Sequence, residues 1–498
     1  MLRTILGEKK FIEGVKTYLK TFDGQSATIE DFISTMEQVG GVDLKVFENW
    51  YHQAGTPKVK VDKFTFDAGK VSVTISQSIP STFDQPSETK FPVHIPLSIS
   101  FLNAKGKDLS FEAEKFSAKI ELAEKIQTFV FEGFNQTPVS PFVFPLAPVD
   151  VFQLSDSQIL CGQISSPTND PFHKHYAFKV VATGLLKSFI DFQTKDISQV
   201  GHTLEALHPF HEELAQVLNG ITSGKDYDRS YYALLLSLPT VEQISQKLEV
   251  YDAPLIFETR EKYRKYVGNL FYDYWRKLFS SNHLLEDDLS VSSESMSRRD
   301  LKALSLSYLA ATEKFDVEQI CVSLYKDSNN LTDKTMALVA LLSNAKFHPV
   351  GLRLLDEDYD RYYKSHSLLV NHWLTLQAAS PVPKKTVENV KRLLSHEAFD
   401  WNNPNKVYSL IRTFASNPVA FHEGNKGYEL LADAVIKLSH INPQVAARLL
   451  TAFKSITRCP KHRREAMTFQ IERILQANPP KEVYEIAKNT LDAAKRVE

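Results

Sequence analysis

The sequence predicts a multidomain protein: a short α-helical segment, then a small β-sandwich, then a large all-α superhelical domain of the α-solenoid type. Apolar residues recur at a helical spacing over residues 1–55, alternate with polar residues over 56–150, and return to the helical spacing over 151–498. Glycine makes up 18 of the 498 residues, which is about half its usual share and favours helices over turn-rich sheets. The changes in apolar spacing give the predicted order of the domains, and the low glycine content agrees with a mainly helical chain.

The first segment, residues 1–55, predicts three amphipathic helices. The strings "EKKFIEGVKTYLKTF" and "TIEDFISTMEQVGG" each place apolar residues three and four positions apart. Thr28 is suited to cap the second helix, with Asp31 completing a capping box. The third helix is predicted to have Asp43 as its cap and to end at Gly55. Short helices with exposed apolar faces and nothing before them are expected to be the end of a larger domain.

The second segment, residues 56–150, predicts a β-sandwich. The string "KVKVDKFTFDAGKVSVTISQS" alternates apolar and polar residues on both sides of a turn at residues 67–70. The strings "VHIPLSISFLNAKGKDLSFEAE" and "KIQTFVFEGF" predict further strands, and short strands at regular spacing are typical of a sandwich. Prolines at positions 138, 141, 145 and 148 predict a linker that leaves the sandwich.

The third segment, residues 151–498, predicts stacked helices. Strings such as "RSYYALLLSLPTVEQISQKL", "NKVYSLIRTFASN" and "NPQVAARLLTAFKSI" are each expected to form one helix between short polar turns. Consecutive antiparallel helices of this size stack into a superhelix. The sequence has no strict period, so no named repeat is predicted.

Composition bounds the partners and the compartment. The formal net charge is −2 and the sequence pI is about 6.7, so no overall basic field favours nucleic acid as a partner. No apolar run is long enough to suggest membrane insertion. Cys161, Cys321 and Cys459 lie far apart without a C-x-x-C motif, which indicates neither a disulfide framework nor a cysteine zinc site. A reducing, cytoplasmic location is predicted.

Metal chemistry has little support in the sequence. A zinc peptidase needs H-E-x-x-H on a helix, and the strings "HEELA", "HEAFD" and "HEGNK" all lack the second histidine. The remaining candidates are histidines beside carboxylates or beside each other: His208, His211, Glu212, Glu213, His173 and His175. Because no third ligand has a motif of its own, capping or surface histidines are favoured over a metal site. The sequence therefore predicts no catalytic and no metal-binding residue in this chain.

Asn-Pro turns give the more informative signals. In "DWNNPNKVYSLIRTF", "ASNPVAFHEG" and "HINPQVAARLL" the asparagine is predicted to cap a helix whose first residue is the proline. A helix start explains most of this pattern. The third string also places Gln444 and Arg448 four residues apart on one helix face, where they could point into a cavity. The basic run at residues 461–464 is expected to be a solvated helix start rather than a phosphate site.

The order of the segments and four strings resemble the aminopeptidase N family of zinc metallopeptidases, in its bacterial alanyl-aminopeptidase branch. The strings are "TIEDFISTMEQVGGVDLKVFENWYHQAGTPKVKV" at 28–61, "LYKDSNNLTDKTMALVAL" at 324–341, "WNNPNKVYSLIRTFASNPVAFH" at 401–422 and "INPQVAARLL" at 441–450. The resemblance covers the whole chain. It implies that "WY" followed by "GTP" joins the end of a thermolysin-like catalytic domain to the sandwich. It also implies that the zinc ligands and the general-base glutamate lie upstream, so Met1 is expected to be an internal methionine.

The resemblance implies roles for three residues of the helical domain. Gln444 and Arg448 match positions that face the enclosed substrate cavity on the downstream side of the peptide. Tyr408 stands where the family has a second cavity arginine. One cation rather than two is therefore expected to meet a peptide carboxylate.

The implied function is that of the C-terminal portion of a zinc-dependent aminopeptidase that removes N-terminal residues from peptides with broad, alanyl-type specificity. This portion is expected to enclose the substrate cavity and to be inactive alone, with zinc bound in the intact enzyme and not by this chain. The expected partners are peptide substrates and the missing N-terminal and catalytic domains. Two alternatives stay open: a stand-alone helical scaffold that binds peptides or proteins on its concave face, and a metal enzyme that uses His208 and His211.

Overall fold

The structure is a computed structural model, and it describes residues 1–82, 84–111, 115–154, 157–166, 170–194, 207–224, 227–283 and 289–497. The chain divides into two compact units, Met1–Val181 with Gly201–Val217 and Ala182–Val200 with Leu218–Glu498. The first unit contains the N-terminal helices and the β-sheets. The second unit contains most of the helical residues.

Short helices open the first unit and enclose a small core of their own. Their bounds are α1 Leu2–Leu6, α2 Glu8–Thr21, α3 Ile29–Gly40 and α4 Lys45–His52. The predicted capping box of α3 is confirmed, because the Thr28 hydroxyl accepts from the Asp31 N–H at 3.2 Å and the Asp31 carboxylate accepts from the Thr28 N–H at 2.9 Å. The core between these helices contains the buried side chains of Leu2, Leu6, Ile33, Met36, Leu44 and Phe47.

Helix α4 is shorter than the sequence predicts. The predicted cap Asp43 lies one residue before the actual N-cap, and the helix ends at His52 rather than at Gly55. Gln53 is already extended, and its side-chain amide donates to the backbone oxygen of Phe91 at 2.9 Å. A hydrogen bond to a distant part of the chain thus accompanies the end of this helix, and a local pattern cannot show such a bond.

Seven strands of the described residues form the predicted β-sandwich, which is confirmed. Their bounds are β1 Lys58–Asp67, β2 Lys70–Ser78, β3 Ile95–Leu102, β4 Ala118–Leu122, β5 Ile126–Phe131, β6 Ser140–Pro145 and β7 Asp150–Phe152. The sheets have the strand orders β5-β2-β1-β7 and β4-β3-β6. Strands β1 and β2 form the predicted hairpin, with Ala68 and Gly69 at positive φ in its turn. The end of one predicted strand string, residues 112–114, lies outside the described residues.

A bulge in β1 keeps the apolar side chains on the core side of the sheet. The register of β1 against β2 shifts between Val61 and Lys63. Side chains alternate faces along a strand, so without this extra residue Phe64 and Phe66 would point away from the face that buries Val59 and Val61. All four apolar side chains pack in or against the sandwich core.

The prediction that prolines 138–148 form an exit linker is wrong. Residues 140–145 form β6, which pairs with β3, and β7 pairs in parallel with β1. Pro141 and Pro145 are tolerated because β6 lies at the edge of its sheet and needs a hydrogen-bonding partner on one side only.

The loop between β3 and β4 is fixed to the first helices that follow the sandwich. These helices are α5 Ser157–Cys161, α6 Pro171–Thr194 and α7 Leu207–Ser223. The Lys107 ammonium group donates to the Gly162 carbonyl at 2.9 Å and to the Ser165 hydroxyl at 3.0 Å. The backbones also approach closely, since a Cβ atom on Gly106 would lie 1.8 Å from the Ile159 carbonyl oxygen. The sandwich and the start of the helical region therefore belong to one compact unit.

Stacked helices make up the second unit, as the sequence predicts. Their bounds are α8 Arg229–Leu235, α9 Val241–Ser245, α10 Ala253–Leu270, α11 Tyr272–Asn282, α12 Ser293–Ala311, α13 Phe315–Asp327, α14 Leu331–Leu342, α15 His348–Glu357, α16 Ser367–Ala378, α17 Pro383–Leu393, α18 Pro404–Val407, α19 Thr413–Ala415, α20 Lys426–Ile441, α21 Pro443–Leu450, α22 Lys461–Gln476 and α23 Lys481–Lys495. Successive helices pack in pairs, α11 on α12 and α13 on α14. Helix α10 also packs on α12, and α12 on α14. In the part of the chain that the structure describes, none of the helices has both the length and the apolar character needed to cross a membrane.

Three strings that were predicted to form single helices are interrupted or change their hydrogen bonding. The first forms α8 and α9, because Pro239 cannot continue a helix and Thr240 starts a new one with its own capping box. The string that starts α21 continues as the 3-10 helix Thr451–Arg458. Between α18 and α19 lies the π-helical turn Tyr408–Arg412. The apolar pattern predicts the helical residues but not these local changes.

Candidate functional site

Helix α21 carries two of the predicted cavity residues on its exposed side. The Asn442 side chain accepts from the Val445 N–H at 3.2 Å and Pro443 occupies the first turn, which confirms the predicted helix start. The apolar residues of α21 are buried, whereas Gln444 and Arg448 are exposed four residues apart. The local sequence therefore presents both polar groups on the outer face of this helix.

The third predicted residue, Tyr408, contacts Arg448. Asn403 caps α18, and the π-helical turn begins directly at Tyr408. The Arg448 Nη1 atom donates to the Tyr408 hydroxyl at 3.4 Å, a long hydrogen bond. The structure thus brings Tyr408 and Arg448 together across 40 residues of sequence. Within the described residues, the Gln444 side chain makes no hydrogen bond to Tyr408 or Arg448.

A second cation, which was not predicted from the sequence, lies at the same place. The guanidinium carbon of Arg412 is 5.7 Å from the centroid of the Tyr408 ring, within the range of a cation–π contact. Arg412 ends the π-helical turn that Tyr408 begins, and π-helical turns often mark functional sites. The spacing of four residues was visible in the sequence and could have indicated this pair. One cation is expected at this point from the sequence. The structure instead has two guanidinium groups, those of Arg448 and Arg412, beside the Tyr408 ring.

Neither guanidinium group is neutralised by the rest of the described chain. No carboxylate among the described residues lies within ion-pair distance of Arg412 or Arg448, and both side chains are exposed. A phenol can accept a hydrogen bond and offer its ring face, but it carries no charge at neutral pH. The site can therefore attract an anion such as a carboxylate.

Two cavities lie elsewhere in the second unit. We call the larger the helical groove; it has a volume of about 780 Å³ and is lined by residues of α10, α12 and α14. We call the smaller the polar cavity; it has a volume of about 280 Å³ and lies at the first turns of α20 and α22. Pro254 and Val419 line both cavities, so the two are adjacent. Gln444, Arg448 and Tyr408 line neither of them.

The basic run at residues 461–464 differs in part from its predicted solvated state. Helix α22 begins at Lys461, which confirms the predicted helix start. The Arg463 side chain, however, is only 15% exposed, and its Nη1 atom donates to the His422 carbonyl at 2.7 Å. The burial follows from a contact with residues 41 positions away, which the local charge pattern does not report.

The candidate metal-binding histidines make other contacts. His208 Nδ1 lies 3.6 Å from a Glu212 carboxylate oxygen, and both side chains are exposed. Burial lowers the pKa of His211 to about 4, and the His173 ring packs on Phe144. Across the described ranges, no three His, Cys, Asp or Glu side chains are grouped so that they could hold a metal ion.

Comparison with protein families defines the class of the fold. Residues 55–148 match a family described as "Domain of unknown function (DUF3458) Ig-like fold". Residues 163–492 match the family described as "Domain of unknown function (DUF3458_C) ARM repeats". The class is therefore an Ig-like sandwich followed by a helical domain of ARM-repeat type. The relatives described next give the family its name: the chain belongs to the aminopeptidase N family and corresponds to its C-terminal part.

Similar proteins match almost the whole length of this chain, but the match covers only about half of their own length. Aminopeptidase N of Escherichia coli is 31% identical over 481 residues, which are 95% of this chain and 53% of that protein. Aminopeptidase N of Haemophilus influenzae is 29% identical over 498 residues, 99% of this chain and 55% of that protein. Among solved structures, the crystal structure of Legionella pneumophila aminopeptidase A in complex with aspartic acid superposes with a TM-score of 0.82 at 25% identity, over 99% of this chain and 55% of that one. The chain thus spans about half the length of the relatives it matches.

Proposed function

We propose that this chain is the C-terminal part of an aminopeptidase that removes N-terminal residues from peptides with broad, alanyl-type specificity. One observation carries the proposal: relatives that bear the name Aminopeptidase N match this chain through both the sandwich and the helical domain, over 95–99% of its length. In such an enzyme the helical domain encloses the cavity in which the peptide is cleaved. Enclosure excludes water and restricts the entry of folded proteins.

The metal of the intact enzyme is proposed to be zinc, which activates water and polarises the peptide carbonyl in peptidases of this type. The described residues of this chain do not fit a zinc site, because no three suitable side chains are grouped together. We therefore propose that the zinc ligands of the intact enzyme lie outside this chain, in a region that corresponds to the part of the relatives that the match does not cover.

Gln444, Arg448 and Tyr408 are proposed to line the substrate cavity on the downstream side of the peptide. The exposed guanidinium groups of Arg448 and Arg412 support this role, because both are free to form charge-assisted hydrogen bonds with a peptide carboxylate. Gln444 adds an exposed amide on the same face of α21. The chain would thus bind and orient the substrate while the chemistry takes place on other residues.

The proposed partners are peptide substrates and the N-terminal and catalytic domains of the same enzyme. The proposed location is the cytoplasm, which is supported by three buried cysteines that form no disulfide bond. The net charge of −2 supports the exclusion of nucleic acid from these partners.

An activity assay tests the proposal. The purified chain and the product of the gene with every in-frame codon upstream of Met1 would be assayed on alanine p-nitroanilide, with and without added zinc. We expect zinc-dependent hydrolysis only from the longer product, which should contain H-E-x-x-H. Zinc-dependent hydrolysis by the chain alone would overturn the proposal. An upstream region with a stop codon and no such motif would also overturn it, in favour of the scaffold hypothesis.

A further inference from the structure

The polar cavity is a candidate ligand site that the proposed aminopeptidase function does not use. Its walls include His422, Glu423, Tyr428, His462 and Arg463. None of these residues is among those proposed to face the substrate cavity. Hydrogen-bond donors dominate the walls, and three independent features show this.

The first feature is the start of helix α20. Asn425 is the N-cap residue, but its side chain makes no hydrogen bond to the N–H groups of the first turn. Gly424, at φ +55°, and Asn425 line the cavity directly before this helix. The first N–H groups of a helix have no acceptor within the helix and favour an anion.

The second feature is a hydrogen-bonded histidine. His422 is 6% exposed, and its Nδ1 atom lies 2.8 Å from the Tyr428 hydroxyl. A tyrosine hydroxyl can donate this hydrogen bond to Nδ1 or accept it from Nδ1. In the tautomer in which Nδ1 accepts from Tyr428, the other ring nitrogen, Nε2, carries the proton and is a donor at the cavity wall.

The protonation state of His422 agrees with this arrangement. Burial, together with the nearby charge of Arg463, lowers the pKa of His422 to about 3. The ring is therefore neutral near pH 7, and a neutral imidazole has one donor and one acceptor nitrogen. Burial also raises the pKa of Tyr428 to about 12, so its hydroxyl keeps its proton.

The third feature is the incompletely paired Arg463. Its Nη2 atom lies 3.4 Å from an Asp252 carboxylate oxygen, but that oxygen has no hydrogen-bond partner, so the contact lacks hydrogen-bond geometry. The buried Nε atom of Arg463 has no partner either. A guanidinium group with unused donors in a small cavity can bind one carboxylate. The acid Glu423 on the same wall disfavours a multiply charged anion such as phosphate.

The adjacent helical groove indicates what the carboxylate belongs to. Apolar side chains such as Phe257, Leu306 and Val339 line the groove, and Val339 is 48% exposed. The charges around it pair with each other: Lys262 with Glu258 at 2.8 Å, and Lys265 with Glu313 at 2.8 Å. A groove with apolar and polar walls and little unpaired charge suits an extended peptide better than a bare hydrocarbon chain.

We infer that the helical groove and the polar cavity together bind a peptide with apolar side chains, whose C-terminal carboxylate is held by Arg463, His422 and the first turn of α20. The inference rests on the proposed function only in taking peptides as the ligand class. This site shares no residue with the surface formed by Gln444, Arg448 and Tyr408.

A binding measurement with the whole chain tests the inference. The probes are an N-terminally fluorescein-labelled hexapeptide of alanine and leucine with a free C-terminal carboxylate, and the same peptide as its C-terminal amide. Fluorescence anisotropy should show binding of the acid, with the amide weaker by about tenfold because one charge-assisted interaction is lost. Equal affinity for acid and amide, or binding of neither, overturns the inference. Binding of fluorescein-labelled laurate without binding of the peptide acid would overturn it in favour of a hydrocarbon ligand.

Substitutions locate the binding in the polar cavity. Glu423→Gln should tighten the binding of the acid several-fold and leave the amide unchanged, because it removes a negative charge from the wall. His462→Ala should weaken the binding of the acid several-fold. Lys461→Ala is the matched control, since Lys461 is exposed on the same helix turn and does not line the cavity. If Lys461→Ala and His462→Ala weaken the binding of the acid equally, the loss of affinity reflects general electrostatics. The polar cavity would then not be the binding site. Because the chain needs no catalytic activity here, failure of this test is distinct from failure of the activity assay.

Discussion

Tyr408 holds two guanidinium groups in place without neutralising them. Its hydroxyl accepts from Arg448 at 3.4 Å, and the guanidinium carbon of Arg412 lies 5.7 Å from its ring centroid. A carboxylate in the same position would pair with the arginines and cancel their charge. A cation–π contact at an exposed site is worth about 0.5–1 kcal/mol, which is enough to orient a side chain but leaves its donors free. Tyr408 thus leaves both cations at this point available to an anion.

The first prediction concerns these arginines in the intact enzyme proposed above. Arg448→Ala should raise KM about tenfold for a tripeptide with a free carboxylate, because one charge-assisted interaction is lost. Arg412→Ala should act in the same direction, and Arg412→Lys should restore part of the loss. Steady-state kinetics on the tripeptide and on alanine p-nitroanilide measure both effects.

The matched substrate is the control for this prediction. Alanine p-nitroanilide has no carboxylate, so its KM should stay within error for all three variants. An equal rise in KM for both substrates would show that the substitutions disturb the fold or the cavity wall, and the assigned role would be wrong. Tyr408→Phe should have a smaller effect than either alanine variant, since it removes only a long hydrogen bond.

Contacts between neighbours in sequence were predictable at this scale, and distant contacts were not. Gln444 and Arg448 share a face because they lie four residues apart, and Arg412 has the same spacing from Tyr408. The burial of Arg463 depends instead on the His422 carbonyl, which a loop places beside α22. A basic run of four residues looks solvated in the sequence because its pattern contains no information on that loop.

The helices and strands were predictable where a local interaction sets their ends. They were mispredicted where contacts with distant residues also act. The start of α3 follows from the capping box of Thr28 and Asp31, a local signal. The strand β6 was missed because its prolines indicate a linker, whereas its position at a sheet edge removes their cost. The end of α4 was misplaced because Gln53 bonds a segment 38 residues away.

A second prediction tests the close approach between the β3–β4 loop and α5. Gly106 and Gly24 both have φ +70°, so alanine at either position meets the same backbone strain. Only at Gly106 would the new Cβ lie 1.8 Å from a backbone oxygen, whereas Gly24 has open space. Gly24→Ala should cost about 1 kcal/mol of unfolding free energy, and Gly106→Ala about 3 kcal/mol or more.

Urea unfolding followed by circular dichroism measures this difference. The Gly24 variant is the matched control for left-handed strain, so the excess loss at Gly106 reports the steric clash alone. Equal losses in the two variants would mean that the loop can move away from α5. The sandwich and the first helices would then not be rigidly joined at this point.

At the level of the whole molecule, the order of modules was predictable because each module has its own apolar period. Alternation at a spacing of two predicts strands, and recurrence at three and four predicts helices, whatever lies around them. The grouping of modules into compact units is a different property. The first unit includes Gly201–Val217, which has a helical period and belongs by sequence to the helical segment. The spacing of apolar residues predicts secondary structure, but it does not show which neighbour a helix packs against.

The last prediction concerns the apolar stripe on α2. Ile12 is 44% exposed and Leu19 is 62% exposed, and their spacing of seven residues places them on one helix face. Single exposed apolar residues are ordinary, but a stripe beside the core of α1–α4 suits a partner surface, which we propose to be the rest of the enzyme. The chain alone should therefore self-associate at micromolar concentration, and Ile12→Glu with Leu19→Glu should shift it towards monomer in size-exclusion chromatography with light scattering. Phe469→Glu is the control, because Phe469 is 60% exposed on α22 and lies outside this stripe. A monomeric wild-type chain, or an equal shift with Phe469→Glu, would show that the stripe is not an interface.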